Sequence, residues 1–172
     1  MPVLHLIAGP KGAGRFTLYR TLIARRCPGL PFATTVESRD SLLAQGKDFA
    51  TKMLFTQPFE LELLVQARAQ GFATVLYVVC VDEPWRLLDR VRQRAVEVDK
   101  NHKPHRTITH YPRMLALLRE GVEFADLSLL FDGGEMKHGG PVLVASIAGD
   151  RMHLHTALRP WWVEKILGFA ER

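Results

Sequence analysis

A short apolar run that passes directly into a glycine-rich loop constrains this chain more than any other feature. The run Val3 to Ala8 precedes Gly9-Pro10-Lys11-Gly12-Ala13-Gly14-Arg15-Phe16-Thr17. A strand, a Gly-x-x-x-x-Gly loop and a helix in this order are typical of a phosphate-binding loop, whose backbone N–H groups surround a phosphate. The alternative, that the glycines only turn a strand tightly into a helix, is less favoured in this context. The predicted cofactor-binding residues are Gly9, Gly12, Ala13, Gly14, Arg15 and Thr17.

Two positions of this loop carry residues that phosphate chemistry does not favour. A phosphate-binding loop normally continues with Lys, which reaches the β- and γ-phosphates, and then with a Ser or Thr hydroxyl that binds Mg²⁺. Arg15 and Phe16 occupy these positions. Arg15 keeps the positive charge in a bulkier group, whereas Phe16 has no oxygen, and Thr17 lies about 100° further around a helix. We therefore expect an altered geometry of phosphate binding and the loss of the usual Mg²⁺ ligand.

The length and composition limit the class of protein, the number of domains and the kind of ligand. With 172 residues, 47% hydrophobic and 24% charged, the sequence predicts a single globular domain over residues 1–172. The net charge of +5 favours an anionic ligand such as a nucleotide, but the basic residues are spread along the chain and predict no nucleic-acid partner. Cys27 and Cys80 are too few for a disulfide framework, and both are predicted to be reduced. No apolar run approaches about 18 residues, so we expect no membrane partner and a cytoplasmic protein.

Strand and helix patterns alternate along the chain. Strands are predicted at 3–8, 31–36, 49–56, 72–81 and 127–131, followed by a hairpin within 142–155 and a helix from Pro160. Residues 99–106 are polar and irregular, which predicts a lid-like segment before a helix from about Thr107. The pattern predicts an α/β fold: a mostly parallel central sheet with helices on both faces, 72–81 in the middle, and a C-terminal hairpin plus helix. Ligands of such folds bind at the carboxyl ends of the strands.

Several specific segments follow one another along nearly the whole chain. They are Leu4-His5-Leu6-Ile7-Ala8-Gly9-Pro10, Gly46 to Leu64, Tyr77-Val78-Val79-Cys80-Val81-Asp82-Glu83-Pro84, Arg90-Val91-x-x-Arg94, Tyr111-Pro112-Arg113, and Ala125-Asp126 through Phe131-Asp132. Together, these segments resemble the zeta-toxin family. The resemblance implies a P-loop kinase fold that phosphorylates UDP-activated amino sugars with ATP and Mg²⁺. It also implies that an antitoxin holds the kinase in check.

The sequence differs from the family at the catalytic and substrate-binding positions. The family has Asn-Ala-Asp, with the Asp as base for the sugar hydroxyl, where this chain has Thr34-Thr35-Val36. Val36 cannot accept a proton, and Glu37 would point elsewhere on an extended strand. Lys52-Met53 replaces a substrate-holding Glu-Thr, and the Gly-Gly-His-x-Val-Pro lid of the family is reduced to residues 99–104. Because these losses compound, we predict an impaired or inactive pseudoenzyme that acts by binding an antitoxin or an active paralogue.

Three arginines are the remaining candidate cations. Arg94 and Arg106 are predicted as the catalytic residues, the latter as a replacement for a basic lid residue. Arg90 and Arg94 fit a phosphate clamp and exposed helix arginines equally well.

A second function stays open beside the pseudoenzyme. It is a weak or re-purposed nucleotide-dependent phosphotransferase, with Arg15 and Arg94 as cations and a carboxylate from Glu37 or Asp40. Its support is the intact glycine frame and the charge retained at position 15.

The histidines do not predict a metal site. His102, His105 and His110 cluster near the lid-like segment, and His153 and His155 share one face of a strand. Because no cysteine or carboxylate accompanies them at fixed spacing, no metal is predicted.

Overall fold

A seven-stranded sheet forms the centre of the protein. The computed structural model describes residues 1–95, 104–134, 136 and 139–168, without the side chains of 94–95 and 104–107. The strands are β1 (Val3–Ala8), β2 (Phe32–Ala33), β3 (Phe49–Met53), β4 (Ala73–Cys80), β5 (Leu127–Asp132), β6 (Val142–Ala148) and β7 (Arg151–Leu154). Their order is β2-β3-β1-β4-β5-β6-β7. The first five pair in parallel and the last two form an antiparallel hairpin, which confirms the predicted sheet with β4 in its middle.

Helices connect the parallel strands. They are α1 (Arg15–Leu18), a π-helical segment (Tyr19–Ile23), α2 (Ala24–Arg26), α3 (Val36–Ala44), α4 (Phe59–Ala69), α5 (Trp85–Ala95), α6 (Pro104–Phe124) and α7 (Trp161–Leu167). The first three segments are contiguous. The start of α6 corrects the sequence prediction: the helix begins at Pro104, since proline lacks only an N–H that the first turn cannot use. Residues 99–103 of the predicted lid-like segment lie outside the described residues.

The second strand is shorter than predicted. Only Phe32–Ala33 pairs with β3, and Thr35 is the N-cap of α3. Its Oγ1 accepts a hydrogen bond from the Ser38 N–H at 3.1 Å, and Ser38 Oγ accepts one from the Thr35 N–H at 3.1 Å. This reciprocal cap outweighs the strand preference of β-branched residues. Val36 is therefore the first residue of a helix, and the prediction that Glu37 lies on an extended strand was wrong.

The core lies on both faces of the central strands. Leu4, Leu6, Leu76 and Val78 are fully buried, and Trp162 of α7 is buried with them. Both cysteines are free thiols. No helix in the described part of the chain is long and apolar enough to cross a membrane.

Candidate functional site

The glycine-rich loop lies at the carboxyl end of β1, beside the central strand. Gly9, Gly12 and Gly14 have φ angles of 145°, 85° and 112°, which side-chain-bearing residues rarely adopt. A Cβ at Gly9 would also lie 2.1 Å from the carbonyl oxygen of Val79 in β4. Backbone conformation and close packing thus both require the glycine frame. The structure has the strand, loop and helix that the sequence predicts, with Gly14 capping α1 in the left-handed conformation.

The segment after β5 packs directly against this loop. A Cβ at Gly133 would lie 1.8 Å from the carbonyl oxygen of Ala13, and a Cβ at Gly14 would lie 2.7 Å from Met136 Cε and 3.1 Å from Pro141 Cγ. Only a glycine at position 133 allows this approach. Sequence reasoning missed Gly133, although a Gly-Gly pair directly after a strand is the signal of a close backbone contact.

Arg90 fastens the two loops to each other. Its Nη1 donates to the carbonyl oxygens of Gly12, at 3.1 Å, and Gly133, at 2.8 Å, while Nη2 donates to that of Gly134 at 3.0 Å. The side chain is therefore not a freely exposed helix arginine, and its role as a phosphate clamp stays a prediction. It is a brace on the backbone of the glycine loop, and it places a positive charge beside the candidate phosphate site.

The side chains that follow Gly14 lie along the first helix. Arg15 is half-buried, and Phe16 is 53% exposed. The Phe16 ring lies 6.5 Å from that of Tyr19, and the Arg20 guanidinium carbon is 6.0 Å from the Phe16 centroid. Phe16 thus offers an outward-facing ring at the position from which a hydroxyl would bind Mg²⁺. Thr17 is half-buried, and its carbonyl oxygen accepts a hydrogen bond from Thr21 Oγ1 at 2.7 Å.

The sequence resemblance places the family's base at Val36, which is the first residue of α3. Val36 is 57% exposed and carries no proton acceptor. Because α3 begins at this residue, Asp40 lies on the same helix face one turn further along, whereas Glu37 is rotated by about 100°. Lys52 is exposed on β3, opposite Ile7 of β1. Of the two candidate carboxylates, Asp40 and not Glu37 therefore shares the helix face of Val36.

Two carboxylates follow the central strands. The sequence analysis did not predict either of them as a site residue. Asp132 ends β5, and its Oδ1 accepts a hydrogen bond from the Gly134 N–H at 2.9 Å. Asp82 follows β4; its Oδ1 accepts from the Trp161 N–H at 3.1 Å and its carbonyl oxygen from Trp161 Nε1 at 2.7 Å. Partial burial, and then the charge of Asp132, raise the pKa of Asp82. These groups hold the β5–β6 loop and the start of α7 at the carboxyl edge of the sheet.

Several of the large exposed apolar side chains lie at helix starts along this same edge. Five helices have a large exposed apolar residue as their first or second residue: Phe16 of α1, Val36 of α3, Phe59 of α4, Trp85 of α5 and Trp161 of α7. Four of these helices follow the carboxyl ends of parallel strands, and α7 begins against Asp82. We call these five residues the apolar edge. Exposed apolar groups that share one surface of a protein are typical of an interaction site.

The two predicted catalytic arginines are placed only by their backbone. Arg94 lies in the last turn of α5 and Arg106 in the first turn of α6. Their side chains lie outside the described part of the structure, so their role stays a prediction. Within the described residues, no three His, Cys, Asp or Glu side chains form a group that could hold a metal ion.

Comparisons with known proteins identify relatives in structure. No protein-family model and no curated protein matches the chain. It is similar to a chain in the crystal structure of AvrRxo1-ORF1:AvrRxo1-ORF2 with sulphate ions, with a TM-score of 0.67 and 14% identity over 96% of this chain and 63% of that chain. The same complex with ATP gives a TM-score of 0.66, with the same identity and coverage. This chain thus spans less than two thirds of the length of these neighbours.

A third similarity is to a structure of the PezAT chromosomal toxin-antitoxin system of Streptococcus pneumoniae. Its TM-score is 0.61 at 12% identity, over 83% of this chain and 71% of that chain. At these identities the likeness concerns the fold.

Proposed function

Because the chain has the zeta-toxin-like P-loop kinase fold that its sequence resemblance implied, we propose that it is a catalytically impaired or inactive kinase-like protein that acts by binding a protein partner. One observation carries the proposal: Phe16 and Val36 are exposed apolar side chains at the positions of the metal hydroxyl and the base. The proposed partner is an antitoxin or an active paralogue. The family resemblance implies ATP and a UDP-sugar as the ligands of the corresponding active kinases.

The catalytic loss follows from the energetics of phosphoryl transfer. Such catalysis consists of positioning and of neutralising charge by a metal ion and cations. A missing general base alone lowers the rate by about 10²- to 10⁴-fold. The missing metal hydroxyl at Phe16 and the reversed charge at Lys52 add to this loss. Arg15 and the Arg90 brace retain positive charge at the glycine loop, which supports phosphate binding without turnover.

The apolar edge supports the binding role. Aromatic side chains, Trp above all, contribute most of the binding energy in protein interfaces. Trp85, Trp161 and Phe16 are exposed at the end of the sheet where ligands of this fold bind. The structural neighbours are described as an ORF1:ORF2 complex and as part of a toxin-antitoxin system. These descriptions favour a protein as the partner of this edge.

Calorimetric titration with ATP, with and without Mg²⁺, tests the catalytic part of the proposal. We expect the heat of ATP binding to be the same in both titrations. We also expect no phosphate transfer to UDP-N-acetyl sugars above that of an Arg15→Ala variant. ATP binding that requires Mg²⁺, together with transfer above this control, would refute the pseudoenzyme.

A matched pair of variants tests the binding part. The protein is co-expressed with a candidate antitoxin or an active paralogue, and the complex is isolated. Trp85→Glu places a charge on the apolar edge, whereas Val65→Glu places one on an exposed apolar position further along α4. We expect Trp85→Glu to weaken the complex at least tenfold and Val65→Glu to leave it unchanged. Equal effects of the two variants would exclude the apolar edge as the interface.

A weak phosphotransferase is the second candidate function. It is favoured by Asp40, which shares a helix face with Val36, and by the intact glycine frame. If this function is correct, Asp40→Asn abolishes residual phosphate transfer and Glu37→Gln does not. Phosphate transfer by the triple variant Arg15→Lys, Phe16→Ser and Val36→Asp shows whether these three replacements account for the loss of activity. Gained activity indicates that the loss is confined to these three positions, and continued inactivity indicates that other parts of the substrate site are also lost.

A further inference from the structure

Two histidines lie side by side on the C-terminal hairpin, far from the glycine loop. β7 is the last strand of the sheet, and β4, β5 and β6 separate it from β1. His153 lies in β7 and His155 directly follows this strand; both are exposed, and the His155 N–H continues the pairing with β6 by donating to the carbonyl oxygen of Val144 at 2.8 Å. Their ring centroids are 4.6 Å apart, and the ring planes form an angle of 68°. The two imidazoles are thus close neighbours without being stacked.

This separation suits two ligands of one metal ion. Zn²⁺ binds imidazole nitrogen at about 2.0–2.1 Å, so two imidazoles in a tetrahedral arrangement have centroids about 5 Å apart. The observed distance is about half an ångström shorter than the tetrahedral value. A small rotation of the exposed His153 ring about its side-chain bonds closes this difference, while the His155 ring stays in place.

A serine on the neighbouring strand orients one of the rings. Ser146 of β6 pairs with His153 across the hairpin, and Ser146 Oγ lies 3.0 Å from His155 Nε2. Metal-binding histidines generally donate their second ring N–H to an oxygen, which sets the tautomer and the ring orientation. When His155 Nε2 donates to Ser146, the lone pair is on Nδ1 and is available to a metal ion. This hydrogen bond comes from another strand, and the sequence pattern of the two histidines does not reveal it.

We propose that His153 and His155 bind a divalent transition-metal ion, with Ser146 as the residue that positions His155. The two nitrogen ligands are neutral, and no third histidine, cysteine or carboxylate of the described residues joins them. Water therefore completes the coordination. Imidazole ligands favour Zn²⁺, Ni²⁺ and Cu²⁺, and Cu²⁺ binds most tightly in this series. The site is independent of the proposed function, because it lies at the opposite edge of the sheet from β2 and α3.

Nuclear magnetic resonance of the whole chain locates the site. Substoichiometric Cu²⁺ is added while the imidazole C–H signals are recorded. We expect the signals of His153 and His155 to broaden first, and those of His5 and His110 to persist. Earlier broadening of any other histidine would overturn the proposal.

Zn²⁺ titration calorimetry of four variants separates the ligands from the positioning residue. We expect His153→Ala to weaken Zn²⁺ binding at least tenfold and Ser146→Ala to weaken it about tenfold. Ser146→Thr keeps the hydroxyl and should bind nearly as the parent does, and His110→Ala should bind unchanged. Circular dichroism confirms that each variant is folded. Parent-like binding by His153→Ala would refute the site, and equal losses in the Ser146→Ala and Ser146→Thr variants would refute the role of Ser146.

Discussion

At the scale of single residues, Arg90 has a role that its place in the sequence does not suggest. It lies on a helix that carries several arginines, and its guanidinium donates to three backbone carbonyls from two loops. Hydrogen bonds to a charged group contribute about 1.5–3 kcal/mol each when a partner is lost. The brace therefore holds the glycine loop against the loop that follows β5.

We expect Arg90→Ala to lower the free energy of unfolding by about 2–4 kcal/mol, because three partly buried carbonyls lose a charged donor. Urea unfolding followed by circular dichroism measures this change. Arg92→Ala, at an exposed position of the same helix, is the control and should change stability by less than about 0.5 kcal/mol. Similar losses in both variants would mean that the brace contributes nothing.

The close packing of Gly133 against Ala13 leads to a second prediction at the residue scale. The added methyl group of Gly133→Ala would collide with the carbonyl oxygen of Ala13, so the two loops must separate. We expect a loss of about 3 kcal/mol or more in urea unfolding. In Gly134→Ala the nearest atom is Asp132 Oδ1 at 3.1 Å, the end of a side chain that can move, so a much smaller loss is expected. If Gly133→Ala is as stable as Gly134→Ala, the close packing of the loops is wrong.

At the scale of elements, Tyr111 joins α6 to the end of the central strand. Its buried hydroxyl donates to the carbonyl oxygen of Val81 at 2.5 Å and accepts from the Val81 N–H at 3.1 Å. Burial raises the pKa of Tyr111 well above its ordinary value, so the hydroxyl stays protonated and can donate. A single side chain thus completes both backbone groups of the residue that follows β4.

Tyr111→Phe should therefore cost about 1–3 kcal/mol, because both backbone groups of Val81 remain buried without this partner. Thermal unfolding monitored by circular dichroism is the measurement. Arg113→Ala removes only a long 3.4 Å contact with Gln57 at the surface and should be nearly neutral. A neutral Tyr111→Phe would show that water or another group replaces the hydroxyl.

At the scale of the whole molecule, the dependence of stability on pH involves a histidine inside the sheet. His5 Nδ1 lies 2.9 Å from the hydroxyl of Tyr77, whose pKa is raised to about 12 mainly by burial. Burial also lowers the pKa of His5 below 6.5, against the opposing effect of Asp48. The folded protein therefore binds fewer protons at His5 than the unfolded chain does. Since stability falls where the unfolded state takes up more protons, the native state loses stability as the pH drops below 6.5.

We expect His5→Gln to lessen this loss of stability between about pH 7.5 and about pH 5.5. Urea unfolding of the parent and the variant at several pH values measures it. The raised pKa of Asp82 acts in the opposite direction, but it is present in both proteins and cancels from the difference. Parallel stability curves for the two proteins would contradict the assignment to His5.

The sequence by itself determined the order of strands and helices, the central place of β4 and the glycine frame of the phosphate loop. These features are local: apolar runs, turn glycines and helix starts act over a few residues. The sequence alone also shows Phe16 at the position where phosphate-binding loops have a Ser or Thr. The helical start at Val36 was not evident from the sequence, because the cap at Thr35 and Ser38 competes with a strand preference of similar strength.

Only the tertiary structure decided which distant groups meet. The Arg90 brace joins residues more than 40 positions apart, and the approach of Gly133 to Ala13 spans most of the chain. The apolar edge likewise consists of residues from five separate helices. The hydrogen bond between Ser146 and His155 joins β6 to the residue that follows β7. Such contacts depend on how strands are ordered in the sheet and how loops pack over it. A pattern read along the chain carries no distance between segments, so these contacts could not be predicted from it.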